Sequence, residues 1–210
     1  MLKTWDNQYK SEGIIQNKPE KKVLDAIRYF KENNFKRILD LGCGTGRYIE
    51  FLDNDGFEVY GCDISQKGLD ITQNKFPNIY LRQSDFDNLP YKDSYFDAVL
   101  CNFVINHGKV EKIKKGIQEI VRVLKDNGIL YMSVPSVEHP DFQTGKEIEK
   151  NTKIHIDDPI DGDLPHHFFE EGEFEEILKP LRVIKIKHFS GTSQKNPKKQ
   201  MAAYSLYAKK

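Results

Sequence analysis

Gly42, Gly44 and Gly46 stand at alternate positions directly after the apolar run Ile38-Leu39-Asp40-Leu41, and a helical pattern opens near Thr45. Glycine has no Cβ and takes positive φ readily, so a turn built from it lets the main chain approach a ligand closely. A strand, such a turn and a helix start together make a nucleotide-type site at the carboxyl end of a parallel sheet. The spacing narrows the ligand. A dinucleotide fingerprint, G-x-G-x-x-G, needs a glycine at position 47, and Arg47 stands there instead. Two further acids, Asp63 and Asp85, follow later apolar runs. A carboxylate at a strand tip accepts hydrogen bonds from hydroxyls or amines.

Histidines supply a second kind of chemistry. His107 follows the fourth apolar run, and His155, His166 and His167 lie in or beside a polar stretch over 136–168. Imidazole titrates near neutrality, which suits a general base for an acceptor that carries a proton. His155 with Asp157, Asp158, Asp161 and Asp163 forms a segment rich in potential ligands. No spacing there matches a regular metal motif, so a solvated acidic loop is expected and no metal. Cys43, inside the glycine turn, reads as a small packing residue.

The elements that must carry these groups follow from the apolar periodicity. Val23, Leu24, Ile27, Tyr29 and Phe30 fall at helical spacing within 18–33. Strands are expected over 37–41, 57–62, 78–82, 95–101 and 129–134. Helices are expected after the glycine turn, over 65–74 and over 110–124, with a turn at Asp126-Asn127-Gly128. This alternation implies a parallel, doubly wound sheet. After Pro135 the rhythm fails, and a connection this long is usually functional. A helix is expected over 168–179. The last two strands, 181–189 and 200–208, are joined by a link too short for a helical crossover and should pair antiparallel.

The chain has 210 residues, with Lys+Arg and Asp+Glu both 32. Zero net charge argues against a dedicated nucleic-acid binder. No apolar run reaches membrane-span length, and residues 1–6 lack the apolar core of a signal peptide. The three cysteines are widely spaced, as reduced thiols in a cytoplasmic protein would be.

In order, these motifs resemble the class I S-adenosylmethionine-dependent methyltransferases across about residues 37–134. The resemblance rests on Asp40-Leu41-Gly42-Cys43-Gly44-Thr45-Gly46, Asp63-Ile64, Ser84-Asp85-Phe86, the stretch Phe96–Val99 running into Asn102–His107, and Arg122–Leu130. It implies a Rossmann-like seven-stranded α/β sheet, mostly parallel with an antiparallel last strand and helices on both faces. It implies S-adenosyl-L-methionine as cofactor. Asp40, Gly42, Cys43 and Gly44 would lie at its methionine end, Asp63 on the ribose hydroxyls, Ile64 against the adenine, Asp85 and the Phe86 amide on the adenine edge, and Asn102 near the sulfonium. In such proteins an aromatic N-terminal segment folds over the cofactor, which makes Tyr9 a site candidate. The whole chain then reads as one domain, with a helical lid over about 1–34 and an irregular substrate cap over about 136–168. His107 is the first choice for a catalytic base, with His155 second, and His166 and His167 face the substrate. The expected acceptor is a small molecule. Transfer RNA is the alternative, drawing on the basic run Lys195-Asn196-Pro197-Lys198-Lys199. A cofactor-binding sensor or subunit without transfer activity is the reading from another class.

Overall fold

Alternation along the central strands divides the core in two. The computed structural model describes residues 5–13, 18–155, 164–192 and 200–210. Strand β1 (Arg37–Leu41) lies between β2 (Glu58–Asp63) and β4 (Phe96–Asn102), and β4 pairs with β5 (Leu124–Pro135), all parallel. Successive strand residues point to opposite faces. Leu39, Leu41, Val99, Cys101, Leu130 and Met132 accordingly join one buried cluster, and Ile38, Ala98, Leu100, Ile129 and Tyr131 join the other. These strands read as unbroken apolar runs because each face is covered.

Helix α5 (Val110–Val123) packs Ile113, Ile117 and Ile120 into the first cluster, together with Phe174 and Ile177 of α6 (Phe174–Ile177). Helix α2 (Lys21–Glu32) packs Val23, Ala26, Ile27 and Phe30 into the second. Ile49 and Leu52 of α3 (Ile49–Asn54) and Leu69 of α4 (Gln66–Lys75) join them there. A short helix α1 (Trp5–Glu12) precedes these.

The full sheet runs β3-β2-β1-β4-β5-β10-β9, with β3 at Tyr80–Gln83, β9 at Arg182–Thr192 and β10 at Gln200–Lys209. Only β10 is reversed, antiparallel to both neighbours. The chain leaves β1 to one side for β2 and returns to its other side for β4. The carboxyl ends of β1 and β4 therefore flank a topological switch point, where open α/β sheets bind ligands.

Two expectations from the sequence need correcting. Strand β5 begins at Leu124, because Phe96 pairs with Leu124 ahead of a register shift. The turn at 126–128 survives as that irregularity, with Asn127 at φ 65° and its amide bonded to the Lys210 carbonyl. Residues 168–179 do not form one helix. Strand β8 (Pro165–His167) is drawn into a three-stranded antiparallel sheet with β7 (Thr152–Ile154) and β6 (Lys146–Glu149). A 3-10 turn over Glu171–Glu173 then leads into the short α6, with Glu170 and Glu173 capping each other. The aperiodic stretch after Pro135 thus contains regular strands among its described residues. Its strands are only three or four residues long, too short to register as alternation.

Candidate active site

The glycine turn is held from both sides. The amides of Gly42 and Cys43 donate to the Cys62 carbonyl at 2.8 and 3.0 Å, and the Thr72 hydroxyl donates to the Gly44 carbonyl at 2.8 Å. Gly42, Gly44 and Gly46 all sit at positive φ (73°, 52° and 80°). A Cβ on Gly44 would lie 2.5 Å from the Tyr9 hydroxyl, so glycine is needed there for space as well as for conformation.

Asp63, at the tip of β2, ties the turn to the next helix. One carboxylate oxygen accepts from the Gly44 amide and the other from the Ser65 amide, both at 2.8 Å. Burial raises its pKa, against the pull of those two amides. Ser65 caps α4 by accepting from the Gly68 amide. The Ile64 side chain beside it stays 53% exposed, an apolar surface at the cleft with nothing packed on it to hide it. Cys43 is buried in the core cluster, and burial pushes its thiol pKa up, which suits packing and not nucleophilic work. Asp85 accepts from the Phe86 amide at 2.8 Å and pairs with Lys112 at 2.6 Å, so both groups expected on the adenine edge are engaged within the protein. The Phe86 ring is buried.

Asp40 is buried and incompletely satisfied. It is 2% exposed, and its Oδ2 has no hydrogen-bond partner among the described residues. Burial pushes its pKa up to about 7, eased by the Arg47 charge and worsened by Asp63. Asn102, at the tip of β4, donates to Glu20 Oε1 at 3.2 Å and to the Tyr48 hydroxyl at 3.3 Å, while its own Oδ1 is buried without a partner.

Across the cleft lie the histidines. His107 Nδ1 is 2.9 Å from the Val104 carbonyl. A carbonyl only accepts, so Nδ1 carries the proton, and Nε2 is the basic nitrogen of the neutral ring. The His107 ring meets Trp5 edge-on at 5.7 Å and His166 at 5.0 Å, and His155 lies 5.8 Å from His166. His167 faces elsewhere. Strand alternation turns it away from His166, into contact with Thr152 Oγ1 at 2.8 Å, Glu173 at 3.3 Å and the Phe169 ring. It holds the small sheet together. Tyr9 and Trp5 share one face of α1, which Asp6 fastens to α4 by accepting from the Lys67 amide at 2.8 Å and the Ser65 hydroxyl at 3.0 Å. Asp157, Asp158, Asp161, Asp163 and the run Lys195–Lys199 lie outside the described residues.

Four residues escape the sequence reading: Glu20, Lys22, Arg47 and Tyr48 cluster beside the turn. Charges at a helix start look solvated in sequence, and here Lys22 and Glu20 pair at 3.0 Å in a largely buried place. Lys22 also rests on the Phe103 and Phe189 rings, at 4.6 and 3.9 Å.

A glycine turn at the switch point, acids at the tips of β1 and β2, and a single reversed strand between β5 and β9 give this chain the fold of the class I S-adenosylmethionine-dependent methyltransferases, and comparisons with known proteins support a domain of that class. Residues 39–132 match the family described as methyltransferase domain. A tRNA (carboxymethyluridine(34)-5-O)-methyltransferase of Arabidopsis thaliana is 32% identical over 63% of this chain and 36% of its own length. A demethylmenaquinone methyltransferase of Paenarthrobacter aurescens is 33% identical over 47% of this chain and 38% of its own. The chain thus spans little more than a third of each of these relatives. The fold is shared with an S-adenosylmethionine-dependent methyltransferase from Clostridium acetobutylicum, at TM-score 0.70 and 21% identity, over 98% of this chain and 95% of that one.

S-adenosyl-L-methionine is the cofactor of such a domain, and the residues present fit it. The partnerless Asp40 oxygen can take an ammonium, the Asp63 carboxylate at the tip of β2 has lone pairs left for hydroxyls, and Ile64 offers an exposed apolar face. Among the described residues, no group of three or more His, Cys, Asp or Glu is placed to hold a metal, and no helix is long and apolar enough to cross a membrane.

Proposed function

We propose that the protein is an active methyltransferase that moves the sulfonium methyl of S-adenosyl-L-methionine to a small-molecule acceptor lodged under residues 136–168. The bound cofactor supplies an electrophilic methyl whose leaving group is a neutral thioether. Asp40, Asp63, Ile64 and Asn102 hold the cofactor, with Tyr9 closing over the turn. The protein's main contribution is alignment, for which holding the reactants in place supplies about 7–11 kcal/mol. His107 Nε2 takes the proton where the acceptor carries one, and Trp5, against its ring, excludes water. His166 and His155 line the acceptor side. Residues 1–34 act as lid and 136–168 as cap.

The observation that supports this reading is the meeting of His107, His166 and Trp5 at the segment after β4, where the acceptor is proposed to lie. The test is transfer of labelled methyl to a library of small acids, amines, phenols and thiols. Turnover of any of them supports it. Cofactor binding with no transfer to any acceptor would favour the sensor or subunit reading. The tRNA reading draws on the Arabidopsis relative and on the basic run Lys195–Lys199. RNA binding that falls steeply with added salt, together with methyl transfer to tRNA, would replace the small-molecule proposal.

A further inference from the structure

At about 100° per residue around α1, Trp5 and Tyr9 share one face, with Asp6 on one flank of it and Gln8 on the other. Asp6 fastens its flank to α4 through the Ser65 hydroxyl and the Lys67 amide. Gln8 therefore turns away from α4, and Trp5, on the helix face beside it, meets the His107 ring at 5.7 Å. Of the residues of α1, Gln8 alone is buried, at 4% exposure. Its carboxamide gains no bond there. Oε1 and Nε2 are both buried with no hydrogen-bond partner among the described residues. Exchanging the two ends of the amide leaves that result unchanged.

Asn106 is a second such group. It directly precedes His107, is 4% exposed, and its Oδ1 has no partner among the described residues. Its backbone carbonyl accepts from the His167 amide at 2.9 Å, which fixes it against the small sheet. Buried polar groups in folded proteins are nearly always paired, so two orphaned carboxamides linked through the Trp5–His107 contact call for partners from a ligand. Their unmet bonds state its chemistry. Gln8 Nε2 needs a hydrogen-bond acceptor, and Gln8 Oε1 and Asn106 Oδ1 each need a donor. A primary carboxamide offers one carbonyl and two N–H bonds, whereas a carboxylate only accepts and leaves both oxygens unmet. Resting on the methyl-transfer reading above, we propose that the small molecule bound beside His107 carries a primary carboxamide, held by Gln8 and Asn106. A site that hydrogen-bonds a substrate group rejects the analogue lacking it, because the site's own buried polar groups are then left unpaired.

The test uses three probes that differ only in this group, benzamide, N,N-dimethylbenzamide and benzoate, titrated by ligand-observed NMR into the intact protein saturated with S-adenosylhomocysteine. The wild type should bind benzamide about 10–100-fold more tightly than either of the others, since each of them leaves buried partners unmet. Gln8→Met, of similar length and without the amide, should reduce that ratio to within about threefold and keep the affinity for S-adenosylhomocysteine within about twofold. Gln8→Glu, which keeps the oxygens and loses the donor, should give an intermediate ratio and serves where the methionine variant does not fold. A wild-type ratio near one, no binding of benzamide, or an undiminished ratio in both variants overturns the proposal. So does a Gln8→Met protein that loses S-adenosylhomocysteine and keeps the amide preference, which would assign Gln8 to the cofactor. A clear amide preference in a protein that transfers methyl to no member of the library above overturns the transfer reading and upholds the amide site.

Discussion

The two banks of the cleft are fixed by different kinds of bond. On the cofactor bank, main-chain amides meet carboxylates and carbonyls: Gly42 and Cys43 on Cys62, Gly44 and Ser65 on Asp63. On the proposed acceptor bank, side-chain pairs are added to the backbone pairing of short strands: Thr152 to His167, and His167 to Glu173 of the 3-10 turn. Even the link from β6 to α5, Glu149 to the Val110 amide at 2.6 Å, spans 39 residues. A site built from backbone in a glycine turn constrains few residue types tightly. One built from side-chain pairs can be rebuilt with other pairs. The first arrangement suits a fixed cofactor, and the second suits an acceptor that differs from one protein to the next.

If that contrast holds, changes on the acceptor bank should alter turnover and leave cofactor binding alone, and changes on the cofactor bank should do the reverse. The largest effect is expected at His107. His107→Gln should lower kcat about 10²–10⁴-fold for an acceptor that must lose a proton, with cofactor affinity within twofold of wild type. A drop under tenfold would mean that the acceptor arrives without a proton to lose, as a carboxylate does.

Next comes Asp63→Ala, which removes the acceptor of two amides as well as the proposed ribose contact. Affinity for S-adenosylhomocysteine should fall about 100-fold, read by calorimetry, since each hydrogen bond to a charged group contributes about 1.5–3 kcal/mol. An unchanged affinity would place the ribose elsewhere. Thr152→Val tests the cap. It should cost about 1–2 kcal/mol of stability, measured in urea, by leaving the buried His167 Nδ1 without its Thr152 partner, and cofactor affinity should not change.

The smallest effect is a proton count. The ordinary Asp40 value of 3.8 rises to about 7 on folding. The folded protein therefore keeps a proton that the unfolded chain releases. The stability that this residue contributes is fully present below about pH 4 and is lost as pH rises through 7. Asp40→Asn should flatten that decline. An ammonium beside Asp40 pulls its pKa back down, so cofactor binding at pH 7 should release roughly half a proton, seen by calorimetry in two buffers of different ionisation enthalpy. No release from the wild type would separate Asp40 from the ammonium.

The core strands, the order of elements and the reversed strand β10 were legible in the sequence because each rests on local signals: apolar runs, glycine and proline stops, and a link too short for a crossover. The 168–179 helix was misread because the Phe168 and Phe169 amides are taken by the Asn151 and Pro135 carbonyls, partners remote in sequence, and no periodicity announces the three-residue strand just before them. His167 went astray for the same reason, since only pairing in a sheet tells which of two adjacent histidines faces the cleft.

The sequence by itself determined the kind of cofactor: three alternating glycines and two strand-tip acids state a backbone geometry that few other residues allow. The tertiary structure alone decided which charges are buried. Glu20, Lys22 and Arg47 look like solvated residues along the chain, and they become an unbalanced cluster only when α2 folds against the turn and the tip of β4. Burial and the resulting lack of solvent are properties of what packs against a residue, which no stretch of sequence around that residue records.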